Sequence, residues 1–93
     1  HPISWYAGQL GITAAHLNAL CRKACGQSAL ELVHERLLLE ARRNLVYTSM
    51  SVSQVADALG FADPAYFTRF FKQRTGLSPK AFRARASDAI SNG

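Results

Sequence analysis

Residues 60–83 read GFADPAYFTRFFKQRTGLSPKAFR, and this stretch decides the fold. It contains two capping side chains that are each followed by proline, Asp63-Pro64 and Ser78-Pro79, and this arrangement favours the start of a helix. Gly76 stands where the first of these helices should end, because glycine commonly follows a helix C-terminus. The stretch therefore predicts a helix over 64–75 that is followed at once by another helix.

The same pattern occurs a second time nearer the N-terminus. Ala7, Leu10, Gly11 and Ile12 match Ala56, Leu59, Gly60 and Phe61 at an offset of 49. After one extra residue the match continues at an offset of 50 and reaches Gly26 and Ser28, which correspond to Gly76 and Ser78. Each copy comprises a short helix, a turn that opens with glycine, and a longer basic helix that ends at glycine. The sequence thus predicts two helix-turn-helix motifs.

The whole chain is predicted to be helical, since no segment alternates polar and apolar residues for long enough to form a strand. The predicted helices span 4–10, 14–25, 29–47, 52–59, 64–75 and 79–86. We therefore expect an all-α fold of two homeodomain-like helix-turn-helix lobes in tandem, joined by a long linker helix. The predicted parts are a first lobe over 1–27, a linker helix over 28–48, a second lobe over 49–87 and a tail over 88–93.

The charge of the chain indicates a polyanionic partner. Among its 93 residues, 11 are Lys or Arg and 6 are Asp or Glu, which gives a net charge of +5. The excess lies in residues 60–87, and such a distribution is typical of nucleic-acid binding. A helix on a membrane surface would concentrate the charge in one amphipathic segment, whereas here it is spread over two lobes. With neither a transmembrane run nor a signal peptide, the chain is expected to be cytoplasmic.

The sequence offers no set of catalytic residues, so neither an enzymatic activity nor a cofactor is expected. Cys21 and Cys25 lie four residues apart, and a zinc site would recruit His16 as a third ligand. No fourth ligand follows at a finger-like spacing, which favours reduced, packed thiols over a metal site. The only methionine is Met50, so we expect the chain to be a fragment, or a processed or trimmed chain.

In a helix-turn-helix, the second helix lies in the major groove of DNA. In the second copy, three phenylalanines at helical spacing predict the packing face, and Ala65, Thr68 and Arg69 point away from it. Arg69 is the strongest candidate for base reading, because a guanidinium can bind O6 and N7 of guanine together. Thr68 can contact a thymine methyl group or a phosphate. Phosphate contacts are expected from Lys72, Arg74, Lys80, Arg22 and Lys23.

In the first copy, Leu17, Leu20 and Cys21 are expected to pack, which leaves Ala15, Asn18 and Ala19 outward. Asn18 can pair with adenine, and the two alanines can accept thymine methyl groups. Trp5 and Tyr6 are expected in the core of the first lobe.

The helix between the two copies has 19 residues and a length of about 28 Å, close to one turn of DNA at about 34 Å. The two recognition helices are thus expected to enter successive major grooves. Along this linker helix, Arg42 and Arg43 are expected to pair with Glu40 and neighbouring groups.

The stretch GFADPAYFTRFFKQRTGLSPKAFR resembles the signature of the AraC/XylS family of bacterial transcription regulators. The resemblance continues back through LVHERLLLEARRNL to YAGQLGITAAHLNALCRKACGQS, so it covers about residues 3–85. Domains of this family usually begin with a helix before Ile3, and the first lobe over 1–27 is expected to lack that helix. The resemblance further implies contact with RNA polymerase at the promoter and a separate N-terminal domain that binds a small effector and dimerises. By position, the base-reading residues of the family fall on Ala15, Asn18, Ala19, Ala65, Thr68 and Arg69.

We therefore expect sequence-specific binding of double-stranded DNA by the DNA-binding domain of an AraC-type regulator, with activation as its role. The alternative is a non-specific or architectural DNA-binding module. Sequence preference at constant salt separates the two, because phosphate contacts weaken uniformly with salt and favour no site.

Overall fold

The computed structural model describes residues 2–92, and side chains through residue 90. Its elements are α1 (Ile3–Gln9), α2 (Ala14–Cys25), α3 (Ala29–Tyr47), α4 (Val52–Ala58), α5 (Pro64–Thr75) and α6 (Pro79–Asn92). No strand occurs within the described part of the chain, which confirms the all-α prediction. The bounds of α2, α3 and α5 are those predicted.

Capping side chains stand at the starts of α2, α4 and α5. Ser51 and Gln54 form a reciprocal capping box, in which the Ser51 hydroxyl accepts the N–H of Gln54 at 3.1 Å and the Gln54 amide oxygen accepts the N–H of Ser51 at 2.8 Å. Before α5, Oδ1 of Asp63 accepts the N–H of Ala65 at 2.9 Å. Thr13 caps α2 in the same way. Each of these bonds satisfies an N–H that has no partner within its own helix.

The internal repeat is also present in the backbone geometry. α2 ends at Gly26 with φ 78°, and α5 ends at Gly76 with φ 82°. In each case the glycine N–H donates to the carbonyl four residues earlier at 2.8 Å. Glycine adopts this left-handed conformation without the strain that a Cβ would introduce. The two recognition helices therefore end by the same means.

The chain divides into two compact units between Leu37 and Leu38. The first unit contains α1, α2 and the N-terminal half of α3, and the second unit contains the rest of α3 with α4, α5 and α6. The linker predicted over 28–48 is therefore a helix whose two halves belong to different units.

The second unit has a well-packed apolar core. Its core includes five side chains that are almost completely buried: Leu45, Val55, Ala56, Phe67 and Phe71. The Phe67 and Phe71 rings lie 5.9 Å apart between centroids. Burial of one such phenylalanine stabilises a fold by roughly 1.5–3 kcal/mol, so the phenylalanines of α5 fix this helix firmly in the unit.

The first unit is packed more thinly, and two packing predictions for it are wrong. Trp5 is 43% exposed and Leu20 is 48% exposed, although both were expected to be buried. Tyr6 is half-buried, and its ring meets that of Trp5 edge-on at 5.1 Å. Two short helices and half of α3 offer too little surface to enclose large apolar side chains, and Ala7 is the one buried residue of α1.

The C-terminal helix is longer than predicted. α6 continues to Asn92, past the predicted end at 86, so residues 88–92 of the predicted tail are helical. Neither glycine nor proline interrupts this segment before Gly93.

A side chain of α6 also contacts α3. Arg83 on α6 reaches the end of α3, where its Nε donates to the carbonyl of Leu45 at 2.9 Å.

Candidate nucleic-acid interface

Helix α5 has two opposite faces. The phenylalanine face consists of Phe67, Phe70 and Phe71, all buried. The recognition face consists of Ala65, Thr68, Arg69 and Lys72. Its first residue, Ala65, precedes Phe67 by two positions, which corresponds to a rotation of about 200° around the helix axis. Ala65, Arg69 and Lys72 are exposed and Thr68 is half-buried. The structure thus brings the predicted base readers of the second copy together on one accessible surface.

Arg69 extends from the recognition face beside an aromatic ring. Its Cζ lies 6.0 Å from the centroid of the Tyr66 ring, at the outer limit of a cation–π contact. Both residues line a shallow cleft at the turn before α5, together with Phe61 and Asp63. Within the described part of the chain, no carboxylate lies within ion-pair distance of Arg69. The guanidinium therefore keeps its hydrogen-bond donors available for an external acceptor.

Sequence reasoning missed Tyr66 as a member of this surface. The side chain is 58% exposed, and its ring lies 5.8 Å from that of Phe61. Its signal in the sequence was its position: Tyr66 lies three residues before Arg69, and residues at that spacing are neighbours on a helix.

Among the predicted phosphate contacts, Lys72, Lys80 and Lys23 are exposed. Arg22 is exposed as well, and its Nη2 lies 3.9 Å from a carboxylate oxygen of Glu31. An exposed pair at this distance contributes little stability, so Arg22 can exchange Glu31 for a phosphate at low cost.

Arg74 has a different environment from the other predicted phosphate contacts. It lies on the phenylalanine face, and its Cζ is 4.2 Å from the centroid of the Phe70 ring. It also lines a cleft of about 400 Å³ with Arg42 and Arg85. Because this face is opposite the recognition face of α5, a phosphate contact by Arg74 stays a prediction that its position does not favour.

On α2, the predicted outward face is present, but one of its members is engaged. Ala15 and Ala19 are exposed, whereas Asn18 is half-buried. Oδ1 of Asn18 accepts the backbone N–H of Ala29, the first residue of α3, at 2.8 Å. Bidentate pairing with adenine requires both this oxygen and the side-chain NH2 group of the asparagine. In this conformation, Asn18 holds the start of α3 instead.

The prediction for the linker arginines is wrong. Among the described residues, neither Arg42 nor Arg43 has a carboxylate within ion-pair distance. Both side chains are exposed, and an exposed pair gains too little energy to hold two long side chains in one geometry.

The thiols and histidines form no metal site within residues 2–92, where no group of three potential ligands converges. Cys21 and Cys25 are free thiols, and Sγ of Cys25 donates to the carbonyl of Cys21 at 3.1 Å. Of the helices in the described chain, none has the length and apolar character needed to cross a bilayer.

Known proteins resemble this chain over most of its length. A family model described as "Helix-turn-helix domain" matches residues 6–85. The arabinose operon regulatory protein of Escherichia coli is 31% identical over 90 residues, which cover 97% of this chain and 31% of that protein. The probable transcription factor PqrA of Proteus vulgaris is 35% identical over 81 residues, which cover 87% of this chain and 66% of that protein. The chain thus spans less than a third of the arabinose regulator.

Solved structures show the same fold. The DNA-binding domain of the global transcriptional factor AdpA, in complex with a target DNA, aligns with a TM-score of 0.89 at 25% identity, covering 100% of this chain and 84% of that chain. The C-terminal domain of a two-component response regulator from Fusobacterium nucleatum aligns with a TM-score of 0.84 at 23% identity, covering 89% of this chain and 81% of that one.

Proposed function

Because this chain belongs to the AraC-type helix-turn-helix family, the DNA-binding domains of transcriptional regulators, we propose that it reads specific sequences in double-stranded DNA. One observation carries the proposal: α5 has a buried phenylalanine face directly opposite an exposed, cationic recognition face. A major groove accepts one α-helix, and a helix whose rear face is fixed in a core enters the groove in a single orientation.

The side chains of the recognition face have separate tasks in this proposal. Arg69 binds O6 and N7 of a guanine, a bidentate contact that discriminates strongly between bases. Ala65 and Thr68 contact thymine methyl groups or, for the Thr68 hydroxyl, a phosphate. Lys72 neutralises phosphate and supplies affinity on every sequence. Further phosphate contacts are assigned to Lys80, Arg22 and Lys23, whose side chains are exposed.

The first unit supplies the second contact with DNA. Its exposed Ala15 and Ala19 offer methyl groups to thymines and let α2 approach the base edges closely. The internal repeat supports the assignment of α2 to a major groove, and entry of the two recognition helices into successive grooves is part of this proposal.

The regulatory setting is proposed from the relatives. The two relatives described above are named as an operon regulatory protein and a probable transcription factor, and the arabinose regulator extends well beyond the matched region. We propose that this chain acts in the cytoplasm within a longer bacterial activator. In that protein it contacts RNA polymerase at the promoter, while a separate domain binds a small effector.

Selection of bound duplexes from a random pool, at near-physiological salt, tests the proposal. Two enriched blocks about one helical turn apart, one of them containing guanine, are the expected result. Binding without enrichment would instead support the architectural module, because phosphate contacts favour no sequence. A chain that is folded but binds no duplex would contradict DNA binding by this domain alone.

A further inference from the structure

The start of α3 depends on a side chain from the preceding recognition helix. Ala29 is the first residue of α3 and is only 6% exposed, and its N–H donates to Oδ1 of Asn18 at 2.8 Å. The N–H groups in the first turn of a helix have no intrahelical partner. Water has little access to Ala29, so Asn18 is the acceptor that satisfies this donor.

In the second unit, the first residue of the corresponding helix needs no side-chain acceptor. At the offset of 50, Asn18 corresponds to Thr68 and Ala29 corresponds to Pro79. Proline has no backbone N–H, so the first residue of α6 presents no donor that needs an acceptor. The Thr68 hydroxyl makes no hydrogen bond to any other residue that the structure describes.

The two helix starts are otherwise alike. Ser28 Oγ accepts the N–H of Glu31 at 3.1 Å, and Ser78 Oγ accepts the N–H of Ala81 at 3.1 Å. The caps are therefore equivalent, and the backbone donor at the first helical residue is present in α3 and absent in α6.

We infer that the first residue of the helix that follows each recognition helix determines whether one side chain of that recognition helix is available to DNA. Ala29 engages Asn18, which makes Asn18 a positioning residue that fixes α3 on α2 and withholds from DNA the oxygen that adenine recognition requires. Pro79 leaves Thr68 available on the recognition face of α5. Direct base reading is thus concentrated in the second unit, and this consequence rests on the proposed function.

A double-mutant cycle on the chain without DNA tests the positioning role. In the unmodified background, which has Ala29, the substitution Asn18→Ala should lower the folding equilibrium constant about tenfold, equivalent to about 1.4 kcal/mol. The loss is expected because the substitution leaves the shielded N–H of Ala29 unpaired. In the Ala29→Pro background, the same substitution should change that constant by less than about threefold, because the donor is absent and proline suits the first helical position. Equal losses in both backgrounds would overturn the inference.

The double variant Asn18→Thr with Ala29→Pro is a control for the case in which a single substitution prevents folding. It reproduces in the first unit the Thr68 and Pro79 pair of the second unit, so it should fold with a stability within about threefold of the unmodified chain. A double variant that does not fold would overturn the inference, because the two pairs would not be interchangeable.

Base-preference profiles of the folded variants test the consequence for DNA. Asn18→Ala should leave every base preference of the chain within about twofold, whereas Ala29→Pro should add a preference for adenine by releasing the Asn18 amide. An adenine preference in the unmodified chain that disappears in Asn18→Ala would contradict the inference. If no variant enriches any sequence, the proposed function fails, while the cycle without DNA still decides the role of Asn18.

Discussion

Arg83 joins α6 to the end of α3, and its replacement is the sharpest test of how the second unit is held together. Its Nε donates to the carbonyl of Leu45 at 2.9 Å, and one Nη contacts the carbonyls of Asn44 and Thr48 at 3.4 and 3.5 Å. The last carbonyls of a helix lack intrahelical partners and carry partial negative charge, so a half-buried cation is favourable there. We expect Arg83→Ala to loosen α6 from α3.

The magnitude follows from these distances. A hydrogen bond from a charged donor contributes about 1.5–3 kcal/mol, and the two longer contacts add little. Because Arg83 is only half-buried, we expect the free energy of unfolding to fall by about 2 kcal/mol. For a domain of this size, the corresponding decrease in Tm is about 8–16 °C.

The assay is thermal and urea denaturation followed by circular dichroism, with Arg85→Ala as the matched control. Arg85 carries the same charge on the same helix, is exposed, and has no ion-pair partner in the part of the chain that the structure describes. The control should change the stability by less than about 0.5 kcal/mol. Equal effects of the two substitutions would refute the reasoning, because net charge rather than the contact with α3 would then explain the loss.

Three further predictions concern a phenylalanine of the core, a pair of glycines and the interface. Phe71→Ala should lower the free energy of unfolding by about 3–5 kcal/mol, because the ring is fully buried; a loss under about 1 kcal/mol in urea denaturation would contradict the described core. Gly8→Ala should raise stability by about 0.5–1 kcal/mol, since Gly8 lies within α1 and an added Cβ meets nothing within 4 Å. Gly76→Ala should lower stability by about 1–2 kcal/mol, because φ is +82° at this position. Thermal denaturation checks the pair, and Tm shifts of the same sign for the two glycine variants would contradict the reasoning. Lys72→Ala should weaken binding to every duplex alike and reduce the salt slope by about one; a loss on one sequence alone would make Lys72 a base reader.

The helix ends were predictable because their causes are local. Ser51 with Gln54 and Asp63 with Pro64 determine where α4 and α5 begin through contacts within three residues of sequence. The phenylalanine face of α5 was predictable for the same reason, since helical periodicity alone separates Phe67 from the exposed positions. Local chemistry and periodicity thus account for the architecture and for the recognition face of α5.

The remaining features depend on which termini and surfaces meet in space. Helical periodicity places Asn18 on an outward face, but it contains no information that the N–H of Ala29 lies within reach of that side chain. The contact of Arg83 with Leu45 joins residues 38 positions apart, and a count of basic residues cannot distinguish it from a DNA contact. Burial of Trp5 likewise depends on the elements that cover it, which explains why the core of the first unit was overestimated.

The role of Arg69 on the exposed face of α5 is the central claim, and one comparison tests it most directly. The measurement is the base-preference profile of the unmodified chain against that of Arg69→Ala, at one salt concentration. The expected result is a loss of about 1–3 kcal/mol in binding to the preferred duplex and a relaxed preference at a single guanine. An equal loss on all duplexes, with the guanine preference intact, would contradict the assignment of Arg69 as the base reader.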